Sequence, residues 1–489
     1  MERNLRVLFL AAEAEPFVKI GGLGDVAGAL PPALLSLPDH PDVRLVIPLH
    51  KQINQKTYKL KPVAAFEVEH AGGPIQAEVF KTNLNNLTVY LINGAPFEEA
   101  EFVYTSDTLA DGYKYTFFSL AALELCRTID WQPDIVHAHD WHTAASVYAL
   151  KTNYRKDPFY QATSTLLTIH NLPYLGNGAG PALKNFGIPK ASKSALPWWA
   201  QDMPLPLGLL TADKINTVSK GYAQEMLTPD FGSGLEEFLQ TRRSDLIGIL
   251  NGLDLDNWNP ESDPNLAENF NTESLGRRAK NKTTLQNELG LSTNRDLPLL
   301  AFIGRMDHQK GVDIALEALR NIADLEWQAV ILGTGDPNIE ISANQLADEM
   351  PDRVRALIRF DSTLARKIYA GADIMMIPSR YEPCGLIQMI SMRYGCVPVA
   401  RSTGGLKDTI LDYGSHRAGT GFLFPQANPD SMANALRRAC TTYSDKRRWP
   451  YLQKRGMQKN FSWKKSALQY QNLYQMLINH KHSNININH

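Results

Sequence analysis

Residues 372–408, ADIMMIPSRYEPCGLIQMISMRYGCVPVARSTGGLKD, decide the fold. Ile374 to Ile377 form a short apolar run suited to a strand buried on both faces, and Pro378 ends it. A polar loop, Ser379-Arg380-Tyr381-Glu382-Pro383, follows, and Cys384-Gly385-Leu386 opens a predicted helix running to about Tyr394. A second strand over 397–400 feeds Ser402-Thr403-Gly404-Gly405 and another helix start. Two strand–loop–helix corners thus stand side by side, as in a doubly wound parallel sheet. Each ends in small residues whose free backbone N–H groups suit a phosphate. Glycine-rich corners also occur for packing alone, but packing has no use for a charged pair inside the corner. With one carboxylate, Glu382, between the two corners, the stretch has the shape of a nucleotide-sugar site.

A chain of 489 residues predicts two or three domains, each able to bury a full core. Apolar and charged fractions of 44% and 21% are those of an ordinary soluble enzyme. A formal net charge of -1 argues against a polyanion-binding surface, so no nucleic-acid partner is expected. Cys126, Cys384, Cys396 and Cys440 are widely spaced, form no CxxC, and read as reduced thiols in a cytoplasmic or plastid-like compartment. Met1-Glu2-Arg3-Asn4 runs straight into a strand, which leaves no room for a targeting segment, and no apolar stretch approaches a membrane span. No membrane partner is therefore expected, and the location is read as cytoplasmic. The Asn- and His-rich residues 480–489 read as a frayed tail, not a metal site.

In the first half, residues 6–12 are a buried strand, and a helix is expected over about 26–37. Gly22-x-Gly24-x-x-Ala27 resembles a dinucleotide fingerprint only superficially: ten residues separate it from the strand, and the second strand, 43–47, ends in Pro48-Leu49-His50. What remains is a long loop carrying Lys19 beside a glycine pair, a cation able to meet a diphosphate or else a solvated loop lysine. Residues 60–93 alternate as three strands with hairpin signals at 71–73 and 83–86, a meander attached to the parallel sheet. A helix covers about 112–127. Asp134-Ile-Val-His137-Ala-His139-Asp140-Trp141-His142 is a strand that breaks into a polar corner, and the strand over 166–169 ends in His170-Asn171. Ligands of parallel sheets bind beyond the carboxyl ends of strands, where Asp140, His142, His170 and Asn171 would lie. His137, His139, Asp140 and His142 come near metal-ligand spacing. Alternation, however, puts His137 and His139 on one face while the Trp141 turn sends His142 elsewhere, and hydrogen-bonded structural histidines are expected. Another strand spans 213–218, with Ser219 capping the next helix, and Asn251-Gly252-Leu253-Asp254 is turn chemistry. The polar stretch 257–274 after it is where the crossover between domains is expected.

In the second half a helix is expected over about 281–289, and the strand–helix alternation then restarts. Residues 299–303 are a strand, followed by Gly304-Arg305-Met-Asp-His-Gln-Lys310-Gly311 and a helix to 319. Two cations at that edge, Arg305 and Lys310, away from any carboxylate run, suit a leaving diphosphate; otherwise they are unrelated surface charges. The strand over 328–332 leads into Gly333-Thr334-Gly335-Asp336, a further phosphate or nucleoside corner. Helices over 429–442 and about 463–479 finish the chain. No repeat of solenoid length is present. The fold class is therefore α/β: two Rossmann-like, doubly wound domains with catalytic groups on edges facing across a cleft.

Lys19-Ile20-Gly21-Gly22-Leu23, His139-Asp140-Trp141-His142, His170-Asn171, Asn251-Gly252-Leu253-Asp254, Arg305…Lys310-Gly311, Glu382-Pro383-Cys384-Gly385-Leu386 and Thr403-Gly404-Gly405-Leu406 occur in the order seen in bacterial glycogen synthases and starch synthases. The chain resembles that family over nearly its whole length. The resemblance implies a GT-B fold, with domains over 1–250 (acceptor side) and 251–460 (donor side), and a last helix within 461–489 crossing back to the first. It implies a retaining transferase moving glucose from ADP-glucose to the non-reducing 4-OH of an α-1,4-glucan; a related GT-B enzyme using UDP-glucose or another acceptor is the alternative. Lys19, in its Gly21-Gly22 loop with Asp25, would contact the donor. Asp140, His142, His170, Asn171 and Asn251 would line the sugar and acceptor side. Arg305 and Lys310 would hold the leaving diphosphate, Glu382 the transferred glucose, and Gly333, Cys384, Gly385, Leu386, Thr403, Gly404 and Gly405 the donor pocket. Such enzymes need no metal or cofactor, because cations and helix ends neutralise the leaving group.

The sequence also departs from the family pattern. Ile20 replaces the usual threonine of the donor loop. Asp111-Gly112-Tyr113-Lys114-Tyr115 stands where Asp-Asn-x-x-Arg-Phe is usual, in a region that faces the acceptor in that family. Phe360 takes the place of the tyrosine common near the nucleotide base. Wider retaining GT-B families carry a second glutamate eight residues after the first; here that position is Ile390, so Glu382 stands alone.

Overall fold

The computed structural model describes residues 4–414 and 418–487, with side chains described as far as Asn479. The chain divides into two compact units, one of residues 1–252 and 463–489, the other of residues 253–462.

In the first unit the strands are β1 (Arg6–Leu10), β2 (Asp42–Pro48), β3 (Lys61–Val68), β4 (Ile75–Leu84), β5 (Leu87–Gly94), β6 (Ile135–His139), β7 (Ser164–Ile169), β8 (Lys214–Thr217) and β9 (Leu246–Gly248). Among the described residues these form one sheet in the order β3-β4-β5-β2-β1-β6-β7-β8-β9. The β3-β4-β5 meander is antiparallel and joins the parallel strands through β5 on β2. Its tight 84–87 turn holds Asn85 and Asn86 at φ 49 and 68, the left-handed conformation that asparagine tolerates best after glycine. The central strands β6 and β7 are buried throughout, as near-continuous apolar runs in a sheet covered on both faces must be.

The second unit contains β10 (Leu299–Ile303), β11 (Gln328–Gly333), β12 (Val354–Ile358), β13 (Ile374–Ile377), β14 (Val397–Arg401) and β15 (Phe422–Phe424). All pairings are parallel, in the order β12-β11-β10-β13-β14-β15. The strand order therefore reverses between β10 and β13, and in the first unit between β1 and β6. Connections leave in opposite directions at such a point and open a crevice beyond the carboxyl ends.

Several expectations shift. The helix expected from residue 26 begins at Gly22 and spans Gly22–Leu35, so the glycine pair straddles its start, with Gly21 as N-cap. The helix expected from 112 begins at Thr108, capped by the Asp107 carboxylate, which accepts from the N–H groups of Leu109 and Ala110. The last helix does not end near Asn479 but spans Trp463–Ile487; the side chains read as a frayed tail lie outside the described residues.

That last helix supplies hydroxyl partners to polar side chains of the first sheet. His137 Nδ1 lies 2.8 Å from the Tyr474 hydroxyl and its Nε2 lies 2.7 Å from Thr168 Oγ1. Asn216 donates to the Tyr470 hydroxyl at 2.8 Å and to Thr168 Oγ1 at 3.1 Å. His137 is thus a hydrogen-bonded structural residue, and burial holds its pKa well below the ordinary value. Tyr470 and Tyr474 are themselves fully buried. Tyr474→Ala should cost about 3–5 kcal/mol of stability by opening a cavity. Tyr474→Phe should cost about 1–3 kcal/mol by stranding His137 Nδ1. Urea unfolding of both variants measures the two, and the Ala variant must be the weaker.

Candidate active site

In the first unit the loop after β1 is held from within by Glu13. This carboxylate is 1% exposed and accepts from the N–H of Ile20 and, at 3.1 Å, from that of Gly21. Burial raises its pKa, against the lowering effect of those N–H groups. The sequence reading missed Glu13. Its signal is a carboxylate set directly after a buried strand, where a charge is tolerated only if donors surround it. Lys19, on the loop so fixed, has its Nζ 2.5 Å from Asp25 and 3.2 Å from Glu15 and remains 43% exposed. Burial alone would lower its pKa, but those two carboxylates raise it. Ile20, in the place of threonine, points outward at 62% exposure.

Asp140 opens the helix Asp140–Lys151 at φ 55, a left-handed conformation that aspartate and asparagine tolerate better than most. Its Oδ1 accepts from the His170 N–H at 2.7 Å, tying the end of β6 to the end of β7. His170 Nε2 lies 2.8 Å from His139 Nδ1, and the two rings are stacked. Burial brings the His170 pKa down to about 3, so at neutral pH one neutral ring donates to the other. His142 turns away to lie against Tyr104, Tyr115 and Trp141. His139 Nε2, His142 Nδ1, Asn171 Oδ1 and Asn251 Oδ1 are buried without a hydrogen-bond partner. Such groups are uncommon in a finished interior, and water or a polar ligand can complete them. No group of three or more His, Cys, Asp or Glu among the described residues is arranged to hold a metal ion.

Asp111 and Lys114, in the divergent 111–115 stretch, form a buried pair at 2.8 Å. Lys114 also donates to the carbonyls of Phe102 and Val103, and Asp111 accepts from Thr105. These two side chains therefore brace the 102–105 loop from inside and offer no charge to solvent.

In the second unit the loops after β10 and β13 meet at the reversal of strand order. Lys310 Nζ lies 2.7 Å from Glu382 Oε2, which also accepts from Ser379 Oγ at 2.8 Å. Glu382 is buried. Arg305 pairs with Asp307 at 3.1 Å, and its side chain is 65% exposed. The two cations are therefore not away from carboxylates, as the sequence suggested; each already has one, brought by a loop contact. The corner glycines are spent on close approach. A Cβ on Gly311, at φ 66, would stand 2.3 Å from the Pro378 carbonyl, and one on Gly333 would stand 1.9 Å from that of Gly304. The Gly405 N–H donates to the Glu382 carbonyl at 3.0 Å, so it is not the free donor expected at that corner. Thr403 is the N-cap of the helix Gly404–Thr409. Leu386 is the N-cap of the helix Ile387–Arg393, and Gln388 bridges the carbonyls of Cys384 and Gly385. Phe360, just beyond β12, is 90% exposed. Arg305, Lys310, Glu382, Phe360 and both corners thus lie beyond the carboxyl ends of one sheet, and Gly333 is the last residue of β11.

Asp140 supplies a pH test. Burial raises its carboxyl to about 7, partly offset by the His170 and Asn171 N–H groups, and the Glu13 charge raises it further. Folding then favours the protonated acid, so its contribution to stability is full below the ordinary value of 3.8 and falls away as pH rises toward 7. Asp140→Asn removes that fall, by at most about 4 kcal/mol at about 1.4 kcal/mol per pK unit. The Tm of the variant minus that of the parent should therefore increase from pH 4.5 to 7.5 (about the span of the shift). A flat difference would show that Asp140 is ionised in the folded protein throughout.

Comparison with known proteins places the chain in a family. The starch synthase catalytic domain family matches residues 6–241, and the glycosyl transferases group 1 family matches residues 286–454. The glycogen synthase of Geotalea daltonii is 39% identical over 481 residues, covering 97% of this chain and 99% of that protein. The glycogen synthase of Streptococcus sanguinis is 38% identical, covering 97% of this chain and 100% of that protein. Among solved structures, the catalytic domain of starch synthase IV from Arabidopsis thaliana, bound to ADP and acarbose, has a TM-score of 0.88 and 32% identity, covering 98% of this chain and 100% of that one. Sucrose-phosphate synthase from Thermosynechococcus elongatus, at a TM-score of 0.62 and 18% identity, shares the fold alone. The expected GT-B class and enzyme family hold, and the chain belongs to the glycogen synthase and starch synthase family of glycosyltransferases.

Proposed function

We propose that the chain transfers glucose from ADP-glucose to the non-reducing 4-OH of an α-1,4-glucan, with retention at the anomeric carbon and release of ADP. The observation that carries this reading is the Lys310–Glu382–Ser379 cluster at the reversal of strand order, with Arg305 on the same loop as Lys310. The ADP and acarbose bound to the starch synthase IV relative support the same pairing of nucleotide and glucan.

In this reading Arg305 and Lys310 receive the diphosphate. The C1–O bond to the β-phosphate breaks, and its electron pair leaves with ADP. The acceptor 4-OH oxygen bonds C1 on the face the phosphate left, and the hydroxyl proton passes to a departing phosphate oxygen. Charge develops on the leaving group and on an oxocarbenium-like sugar, so fixed cations and a fixed carboxylate act where the charge appears. Glu382 is a poor nucleophile here, because one oxygen is already held by an ammonium and a hydroxyl. That favours guidance of the acceptor by the leaving phosphate over a covalent glucosyl-enzyme. Asp140 fixes the His170-Asn171 turn on the sugar and acceptor side, Glu13 sets the loop that carries Lys19 toward the donor, and Phe360 offers an exposed ring for the base.

A donor panel of ADP-, UDP- and GDP-glucose with a maltooligosaccharide primer tests the proposal. ADP-glucose should give the highest kcat/KM, and preference for another donor would overturn the assignment. Arg305→Ala should lower kcat by more than about 100-fold, the loss of about 3 kcal/mol of transition-state stabilisation, while leaving Tm within about a degree, since its side chain is exposed. Lys310→Ala should also lose about 3–5 kcal/mol of stability, because it leaves Glu382 buried and unpaired. Glu382→Gln should lower kcat by roughly three powers of ten or more while ADP binding holds or tightens, since Lys310 is then free to meet phosphate. Turnover near normal in Glu382→Gln would remove Glu382 from the chemistry.

A further inference from the structure

A second charged cavity lies at the opposite edge of the same parallel sheet, before the amino ends of β10 and β13. Its volume is about 390 Å³, and Arg278, Lys282, Arg295, Lys446 and Lys454 stand in its wall against two carboxylates, Glu273 and Asp373. Part of that charge is structural. Lys282 Nζ, 5% exposed, lies 2.7 Å from Asp373 and 2.9 Å from the Tyr443 hydroxyl, and it also donates to the Leu297 carbonyl. Arg278 donates to the carbonyls of Tyr394, Tyr369 and Ala372 and lies 3.5 Å from the same Asp373. These bonds tie the helix Arg278–Glu288 to the starts of two central strands, but they set two buried cations against one carboxylate.

The rest of the wall has no such structural use. The side chains of Arg295 and Lys454 have no hydrogen-bond or ion-pair partner among the described residues. Lys446 lies 3.2 Å from Asp296, both ends largely exposed, and its ammonium also stands 4.3 Å from the centre of the Tyr443 ring. Trp449 is 4% exposed, and its Nε1–H, a donor that water or protein normally satisfies, is buried without an acceptor. The wall therefore presents an excess of positive charge, an orphan N–H and the aromatic rings of Tyr443 and Trp449 around a space larger than a bare anion fills.

We propose that this cavity binds a small phosphate monoester, with the dianionic phosphate held by Lys446, Lys454 and Arg295 in the field of Arg278 and Lys282, and the organic body against Tyr443 and Trp449. The site is separate from the Lys310–Glu382 cluster, which lies beyond the other ends of β10 and β13.

Calorimetric titration of the full chain at about 0.15 M salt, where exposed charges are screened, tests this. The probes are inorganic phosphate, a triose monophosphate, a hexose monophosphate and the uncharged hexose. The monophosphates should bind saturably and the uncharged hexose should not. Lys446→Ala/Lys454→Ala, at exposed or half-buried positions, should weaken binding about tenfold or more through lost charge-assisted contacts. Trp449→Phe, which keeps the ring packing, should weaken it less. Arg305→Ala should leave this binding in place, which separates it from phosphate taken up at the other edge. Esters binding more tightly than inorganic phosphate assign the site to a metabolite, and equal affinity assigns it to the free ion. Absence of saturable binding, or binding that the double substitution leaves unchanged, overturns the proposal.

Discussion

The Lys310 ammonium and the Glu382 carboxylate are 72 residues apart in sequence and 2.7 Å apart in space. They meet because the loop after β10 lies against the end of β13, and that approach leaves no room for a side chain at Gly311. Register across the β10–β13 pair sets the height of the two loops, and the reversal of strand order sends their following helices to opposite faces. A buried pair of this kind adds little net stability against an apolar replacement, yet removing either partner is costly. Its value is positional: it fixes one anion and one cation beyond the carboxyl ends of β10 and β13, as the proposed separation of a charged substrate into charged products requires.

The same logic runs through the first unit with different chemistry. There the reversal lies between β1 and β6, and the anchoring contacts are of another kind. Instead Glu13 collects backbone N–H groups from its own loop, and Asp140 takes the His170 N–H of the neighbouring strand end. Carboxylates buried among N–H groups fix loop shape with little surplus charge.

Much of this was legible in the sequence, and the gaps have physical causes. Strands β10 and β13 were read to the residue because each is a buried apolar run ended by Gly304 or Pro378. Strands β12 and β15 escaped: Val354–Ile358 carries Arg355 in a half-buried edge strand, and Phe422–Phe424 is too short to show a period. The helix Arg448–Met457 was hidden by Pro450, which sits in its first turn where proline is tolerated. Lys310, Glu382 and Asp140 could be picked out by position after a strand. Their partners could not, since the Lys310–Glu382, Asp140–His170 and Glu13–Gly21 contacts depend on strand order and loop path, which no local pattern encodes. Gly405 illustrates the limit: its place at a helix start was clear, whereas the use of its N–H by Glu382 required coordinates.

The last helix carries a consequence for how the molecule is made. Tyr470 and Tyr474 supply the hydroxyls that meet the Asn216 amide N–H and His137 Nδ1 deep in the first sheet, and they belong to the same unit as β1. A ribosome delivers residues 253–462 before it delivers those tyrosines. The unit that begins first therefore finishes last, and the second unit has its whole sequence available while the first still lacks a wall. Domains usually mature in the order of synthesis. Here the nascent first sheet waits with His137 and Asn216 each short of one hydroxyl partner and one apolar face open, and it is in that interval, not in the finished enzyme, that the chain most needs protection from aggregation.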